Sequence, residues 1–580
     1  MSAELVIRGG TVVDGTAGPA RRADVVVRDG RIVAIGEVGA ATANDAATID
    51  AATIDATGCV VAPGFVDLHT HYDAQLLWDP TASPSPMHGV TTVFGGNCGF
   101  GLAPVDPAHV DYLSRLMARV EGIPLVALQT GVAWDWRSFG DYLGRLEAGG
   151  VAVNAGFLVG HSVLRRLVMG ERAVTEPASD DDLAAMELLL HAALADGALG
   201  FSTSQAPTHN DGDGVPVPSR AATRDELLRL AACVRSHPGT QLELIIPGCL
   251  NGFTDDEVDL LTELSLAARR PLNWNVLGVS ASGNHRHQLD ASSRAAARGA
   301  RVVALTLPQG MKIRLSFLTG FVLDGLPGWR ETFALPVDER LRALSDPEVR
   351  ARLDAGAHSP EAGVLAGLAN WSRLEVVEAF TPETRVWEGC SVGEIARRSG
   401  KEPFDALCDL VVADGLRTGL RPDFGGPEPA AVWAERAAVW SDPRAVVGGS
   451  DSGAHLDMMS GAAYSTFLVG DAVRDGHVAL EEAVHLLTDV PARLYGLRER
   501  GRVAEGWYAD LVVFDPETVG PDGERTFDDL PGGASRIVAE SRGIRHVLVN
   551  GTPIVRDGDY TAATPGTVLR SGRDTDTVEP

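Results

Sequence analysis

Apolar residues recur along this chain in two rhythms, and the changes from one to the other divide it. Near the start, the β-branched runs Leu5-Val6-Ile7, Val25-Val26-Val27 and Ile32-Val33-Ala34-Ile35 are broken by glycines at 9, 10, 15 and 30, which predicts a small antiparallel sheet. The same texture returns in Ala509–Asp515 and Ile544–Gly551, so residues 1–60 and 495–580 are expected to build one composite β-sandwich domain. A local duplication, Ala46–Asp50 and Ala51–Asp55, reads as a tolerated loop insertion. Between the ends, eight apolar runs can be counted: 60–71, 91–97, 151–161, 197–204, 240–247, 271–278, 301–308 and 445–451. The segments between them carry apolar residues at i, i+3, i+4 and i+7, as in Asp181–Ala195, Thr223–Val234, Asp255–Arg269 and Leu480–Leu487. Eight strands with interposed helices predict an α/β fold, a (β/α)8 TIM-type barrel over 61–494 with its active site where the strands end.

The stretch from 309 to 444, between the seventh and eighth runs, is too long for a plain connection and must carry structure of its own. It holds Trp329, Phe333, Trp371 and Arg421-Pro422-Asp423-Phe424-Gly425-Gly426-Pro427. Two readings stand: a lid over the barrel mouth, or a scaffold insertion or oligomer contact.

Composition narrows the partners. In 580 residues, 50 basic side chains face 78 acidic ones, a net charge of -28 that opposes nucleic acid and anionic membranes and leaves small molecules as the expected partners. Met1-Ser2-Ala3-Glu4 shows no basic leader, and no window has the roughly 18 apolar residues of a spanning helix, so a soluble cytoplasmic protein is expected, with room for a homo-oligomer contact. Six single cysteines without a CxxC fit reduced thiols.

The chemistry concentrates at strand ends. His69 and His71 close the run Val60–Leu68, and residues i and i+2 of a strand face one side, so both imidazoles can reach one metal ion. Taken alone, such a pair is weak, since two surface histidines look the same. Asp451, in Gly448-Gly449-Ser450-Asp451, ends the last run, which neighbours the first in a closed barrel, and a carboxylate there can ligate the metal and accept a proton from its water. Cys98, in Gly95-Gly96-Asn97-Cys98-Gly99, ends the second run and can add a thiolate; the competing readings are a capping aspartate and a buried apolar cysteine.

As a set, Pro63-Gly64-Phe65-Val66-Asp67-Leu68-His69-Thr70-His71, His88-Gly89-Val90-Thr91-Thr92-Val93 through Cys98-Gly99, Gly449-Ser450-Asp451 and Pro491-Ala492-Arg493-Leu494-Tyr495-Gly496 are specific, and over nearly its whole length the chain resembles the amidohydrolase superfamily, most closely its D-aminoacylase (N-acyl-D-amino-acid deacylase) members. The resemblance implies zinc held by His69, His71 and Asp451, with Cys98 in place of a bridging carboxylated lysine. It also implies a histidine on each of strands five and six for a second metal, yet Thr240–Pro247 and Pro271–Val276 contain none, so one divalent ion, Zn2+, is expected. Glu243, Asn273 and Asn275 can replace the missing ligands, bind substrate, or merely satisfy the barrel interior.

His161, at the third strand's end, is a candidate donor to a developing oxyanion, and His209, after the fourth, a candidate substrate contact. Arg165, Lys312, Arg314 and Arg220 are candidates for holding a substrate carboxylate. The expected activity is metal-dependent hydrolysis of a C–N amide bond, with N-acyl-D-amino acids as substrates and Asp451 shuttling the proton. Cleavage of a cyclic amide, imide or carbamate on the same fold, a non-hydrolytic lyase and a non-catalytic scaffold stay open.

Overall fold

The computed structural model describes residues 5–37, 52–320, 322–423 and 428–580. Each of the eight runs contains strand. In chain order these are β1 Phe65–Asp67, β2 Val90–Gly95, β3 Asn154–Phe157 with its continuation Val159–Gly160, β4 Gly200–Ser204, β5 Gln241–Ile245, β6 Leu272–Leu277, β7 Val302–Thr306 and β8 Ala445–Val447. All are parallel, as crossover helices require, and they form two hydrogen-bonded sheets: β1-β2-β3, and a six-stranded sheet running from β8 through β7, β6, β5 and β4 to Val159–Gly160. β3 therefore belongs to both. At the other side, β1 and β8 meet just beyond their ends, where a parallel bridge joins Thr70 to Ser452, the Asp451 N–H donates to the His69 carbonyl at 3.0 Å and the His71 N–H to the Ser452 carbonyl at 2.7 Å.

The predicted helices form at Asp180–Ala195, Arg224–Val234, Asp255–Ala268 and Leu480–Leu487. The first three begin at a Ser or Thr whose hydroxyl accepts from a backbone N–H three residues on. Two further helices matter below, α1 Val110–Val120 and α2 His161–Met169; Arg224–Val234 is α3.

The two chain ends meet in a single nine-stranded sheet, where two stacked layers were expected: Leu511–Phe514 pairs with Val60–Pro63 on one side and Ile544–Val549 on the other. Its alternation works as the period of two demands. Leu511 and Val513 pack with Ile7, Val25 and Leu548 in the sheet's own core, while Val512 and Phe514 turn to the core shared with the barrel. Of the duplication, 46–51 lie outside the described residues; Ala52–Asp55 is not a loop but a strand, parallel to Leu5–Arg8.

The long insertion has a separate apolar core built from residues between Leu315 and Leu420, with Trp329 stacked on Phe333 and Trp371. Its last part returns to the barrel, since Val439 and Trp440 of the helix Ala430–Trp440 pack in the main core. Residues 424–427 of the proline-rich stretch lie outside the described set. Among the elements that sequence reading missed is the hairpin of β9 Gly520–Leu530 and β10 Ala534–Arg542, which reaches from the composite sheet across to the insertion through Arg421–Glu524 and Arg314–Thr526. Among the described residues no helix is long and apolar enough to cross a membrane.

Candidate metal centre

The loops after β1, β2 and β8 carry His69, His71, Cys98 and Asp451 into one buried cluster. Asp67 anchors its base: two residues before His69 and on the same face, it accepts from the Ser450 hydroxyl and so joins the β1 strand to the Asp451 loop. The turn Gly96–Gly99 is fixed by Asn97, whose amide donates to the carbonyls of Thr70 and Phe94, and by the Ser202 hydroxyl, which accepts from the Gly99 N–H. Glycine at 96 is obligatory, because its φ is 73° and a Cβ would sit 2.1 Å from the Leu158 carbonyl oxygen.

Two sets of donor atoms come together here and share His71: His69, His71 and Cys98 form one, and His71, Glu121 and Asp451 the other, each with its atoms within 4.8 Å of one another. His69 Nε2 lies 3.4 Å from Cys98 Sγ and 3.7 Å from Asp451 Oδ1, and His71 Nε2 lies 3.1 Å from that same oxygen. Despite the short distance, His71 Nε2 has no aligned hydrogen bond. Buried polar groups are normally satisfied, so two nitrogens and an oxygen that converge without bonding one another suit a shared cation. The donor set of imidazole, thiolate and carboxylate suits zinc. The cluster is short of positive charge, and against the cost of its burial the neighbouring Glu121 and Asp451 carboxylates push His71 up to about 10. Burial pushes the Glu121 and Glu243 carboxyls up to about 8 and Asp67 to about 7, and the Cys98 thiol well up, the Asp451 charge adding to each. A divalent charge placed among them reverses that cost.

Glu121 was not singled out in the sequence. It caps the C-terminal end of α1, 3% exposed, with Oε1 3.4 Å from His71 Nδ1. A carboxylate at a helix C-terminus opposes the macrodipole, and that misfit was its one readable signal. Glu243, on β5, lies buried with Oε2 accepting from the Cys98 N–H at 2.8 Å and Oε1 3.8 Å from His69 Nδ1.

The other expected site residues divide. His209 comes to the cluster: its Nδ1 meets the Ser204 hydroxyl at 2.7 Å, and burial together with the charge of His455 pushes its pKa down to about 3, so the ring is neutral. His455 stands with Nε2 3.6 Å from Asp451 Oδ2. Asn275 lies against Gly449, where a Cβ would meet its Oδ1 at 2.4 Å. Lys312 is exposed and lines a cavity of about 420 Å³ that reaches Ser450, with Arg421, Tyr464 and Arg542.

Five expectations are corrected. His161 has no nitrogen to offer, because Nδ1 bonds Thr203 Oγ1 at 2.9 Å and Nε2 bonds Glu226 at 2.8 Å. Arg165 is fully buried, forked onto Glu226 at 2.5 Å and onto the carbonyls of Ala173 and Glu176, so it fastens α2 to α3 instead of holding a substrate. Asn273 donates to the Leu242 carbonyl and the Tyr495 hydroxyl inside the strand ring. Arg314 pairs with Glu378 at 2.6 Å and donates to Thr526, tying insertion to hairpin. Arg220 likewise donates to the carbonyls of Pro207 and His209.

The chain is similar to known proteins over nearly its whole length. The family described as "Amidohydrolase family" matches residues 52–555. D-aminoacylase of Alcaligenes xylosoxydans xylosoxydans is 31% identical over 98% of this chain and 97% of its own, and N-acyl-D-aspartate deacylase of the same organism is 31% identical over 98% and 95%. Among solved structures, that of a D-aminoacylase superposes with a TM-score of 0.62 at 28% identity, covering 98% of this chain and 99% of the other. The N-acyl-D-glutamate deacylase of Bordetella bronchiseptica, solved with zinc and a phosphonate inhibitor, also gives 0.62, at 26% identity over 98% and 100%.

Proposed function

The chain belongs to the amidohydrolase family, alongside the D-aminoacylases, and on that premise we propose that it hydrolyses the amide bond of N-acyl-D-amino acids with the help of one zinc ion. The convergence of His69 Nε2, His71 Nε2, Cys98 Sγ and Asp451 Oδ1 carries the reading. When bound there, zinc supplies Lewis acidity toward the acyl carbonyl and makes a water acidic near neutral pH.

The residues do the rest. Asp451 accepts the proton of the attacking water and returns it to the departing nitrogen, as general base and then general acid. Its side chain is the most open of the four, 18% exposed, and its Oδ2 faces His455. Neutral His209, oriented through Ser204, donates toward the carbonyl oxygen as charge gathers on it. Lys312 meets the substrate carboxylate in the cavity beside Ser450. In this reading the two parallel sheets are arcs of one eight-stranded barrel over 61–494, the composite β domain takes 1–60 and 495–580, the insertion acts as a lid, and the protein works in the cytoplasm on a small molecule, as a monomer or a homo-oligomer.

The test is metal content by elemental analysis beside a hydrolysis screen of N-acetyl-D-amino acids, their L enantiomers and cyclic amides. One zinc per chain with turnover of D substrates is expected. Turnover of cyclic amides alone overturns the substrate assignment, and less than a tenth of an equivalent of metal after purification with added zinc overturns the enzyme.

A further inference from the structure

Glu121, which comes within 4.8 Å of donor atoms of His71 and Asp451, and Glu243 each face the Nδ1 edge of one of the two histidines. Oε1 of Glu121 is 3.4 Å from His71 Nδ1, and Oε1 of Glu243 is 3.8 Å from His69 Nδ1. The second pair is instructive, because His69 Nδ1 and Glu243 Oε1 are both buried and neither has another hydrogen-bond partner. A small approach satisfies both atoms at once. The carboxylates arrive from unrelated elements, the end of α1 and the middle of β5, so one local motif does not explain their symmetry.

Imidazole can offer a lone pair at only one nitrogen while the other carries its proton. A carboxylate at Nδ1 holds the proton there and leaves Nε2 bare, and it also fixes the ring's rotation. We propose that Glu121 and Glu243 are a matched pair of positioning residues, each gripping the Nδ1 edge of one histidine so that both Nε2 atoms face the cation. Each also ties in a neighbouring loop. Glu243 Oε2 accepts from the Cys98 N–H, and the Glu121 backbone carbonyl accepts from the His455 N–H, in the loop that carries Asp451. The site-facing position of strand five, which has no histidine, is thus given to supporting the first ion.

This inference rests on reading His69 and His71 as metal ligands, and its test separates the two. Zinc affinity is measured by chelator competition for the full-length protein and for Glu121→Gln, Glu243→Gln and Glu121→Asp, with visible spectra of the cobalt(II)-loaded forms. Each glutamine variant is expected to bind zinc about 10- to 100-fold more weakly, with shifted cobalt bands and unchanged far-ultraviolet circular dichroism. Glu121→Asp, which keeps the charge on a shorter arm, is expected to restore part of the affinity. Should the unaltered protein hold zinc and both glutamine variants match its affinity and spectrum, the inference is overturned while the proposed function stands. Should a glutamine variant misfold, Glu121→Asp decides: no affinity above that of Glu121→Ala overturns the proposal. A metal-free unaltered protein overturns both.

Discussion

Asp451 and Cys98 both hold left-handed backbones, with φ of 61° and 55°. Aspartate tolerates that conformation better than most residues and cysteine does not, so Cys98 stores strain beside the histidine pair. The Gly96–Gly99 turn, pinned by Asn97 and Ser202, keeps it there. Replacing Asp451 by Asn keeps the shape and removes the proton acceptor; a fall of at least about 10²-fold in kcat/KM toward an N-acetyl-D-amino acid is expected in steady-state assays. The sequence shows His69, His71, Cys98 and Asp451 because each sits at the end of a recognisable apolar run. It hides Glu121, which ends a helix and meets His71 only through the fold. It misleads at His161 and Arg165, whose partner Glu226 lies some sixty residues away and is visible only as one carboxylate among many.

Among elements, the hairpin β9–β10 was illegible because its strands are polar and its register bulged, so no period of two flanks the turn that Pro531-Gly532-Gly533 supplies. It docks through His88, whose Nδ1 meets Thr466 Oγ1 at 2.7 Å and whose Nε2 meets the Ala539 carbonyl on β10 at 2.9 Å. Burial pushes the His88 pKa down to about 4. The unfolded chain, near 6.5, then binds the proton more readily than the folded one between pH 6.5 and 4. The stability that neutral His88 allows is whole above 6.5 and drains as pH falls through that window. Urea midpoints measured at pH 7 and pH 5 should show the native protein losing about 2 kcal/mol more than His88→Gln. By contrast, the barrel strands and their helices were legible because burial of parallel strands writes continuous apolar runs and crossover helices write a 3.6-residue stripe.

At the scale of the whole molecule, the insertion folds round an apolar core of its own. That core is separate from the main one, and the insertion meets the candidate site's side of the molecule through Arg119–Asp324, Thr319–Asp457 and the Arg314 N–H to the Met458 carbonyl. Trp329, fully buried among Phe333, Trp371 and Phe404, is its keystone. Trp329→Ala should destabilise the insertion by about 3–5 kcal/mol, seen as new proteolytic cuts between 315 and 420, while zinc content stays that of the unaltered protein.

The seam between the first and last strands has a further consequence. The backbone bonds that join them belong to His69, His71, Asp451 and Ser452, so three of the four proposed metal ligands also fasten the end of β1 to the loop after β8. A cation at that point acts as a clasp on a hoop. On the proposed reading, parting these strands and releasing zinc would be one event, and each tenfold rise in free zinc above its dissociation constant would stabilise the folded chain by about 1.4 kcal/mol.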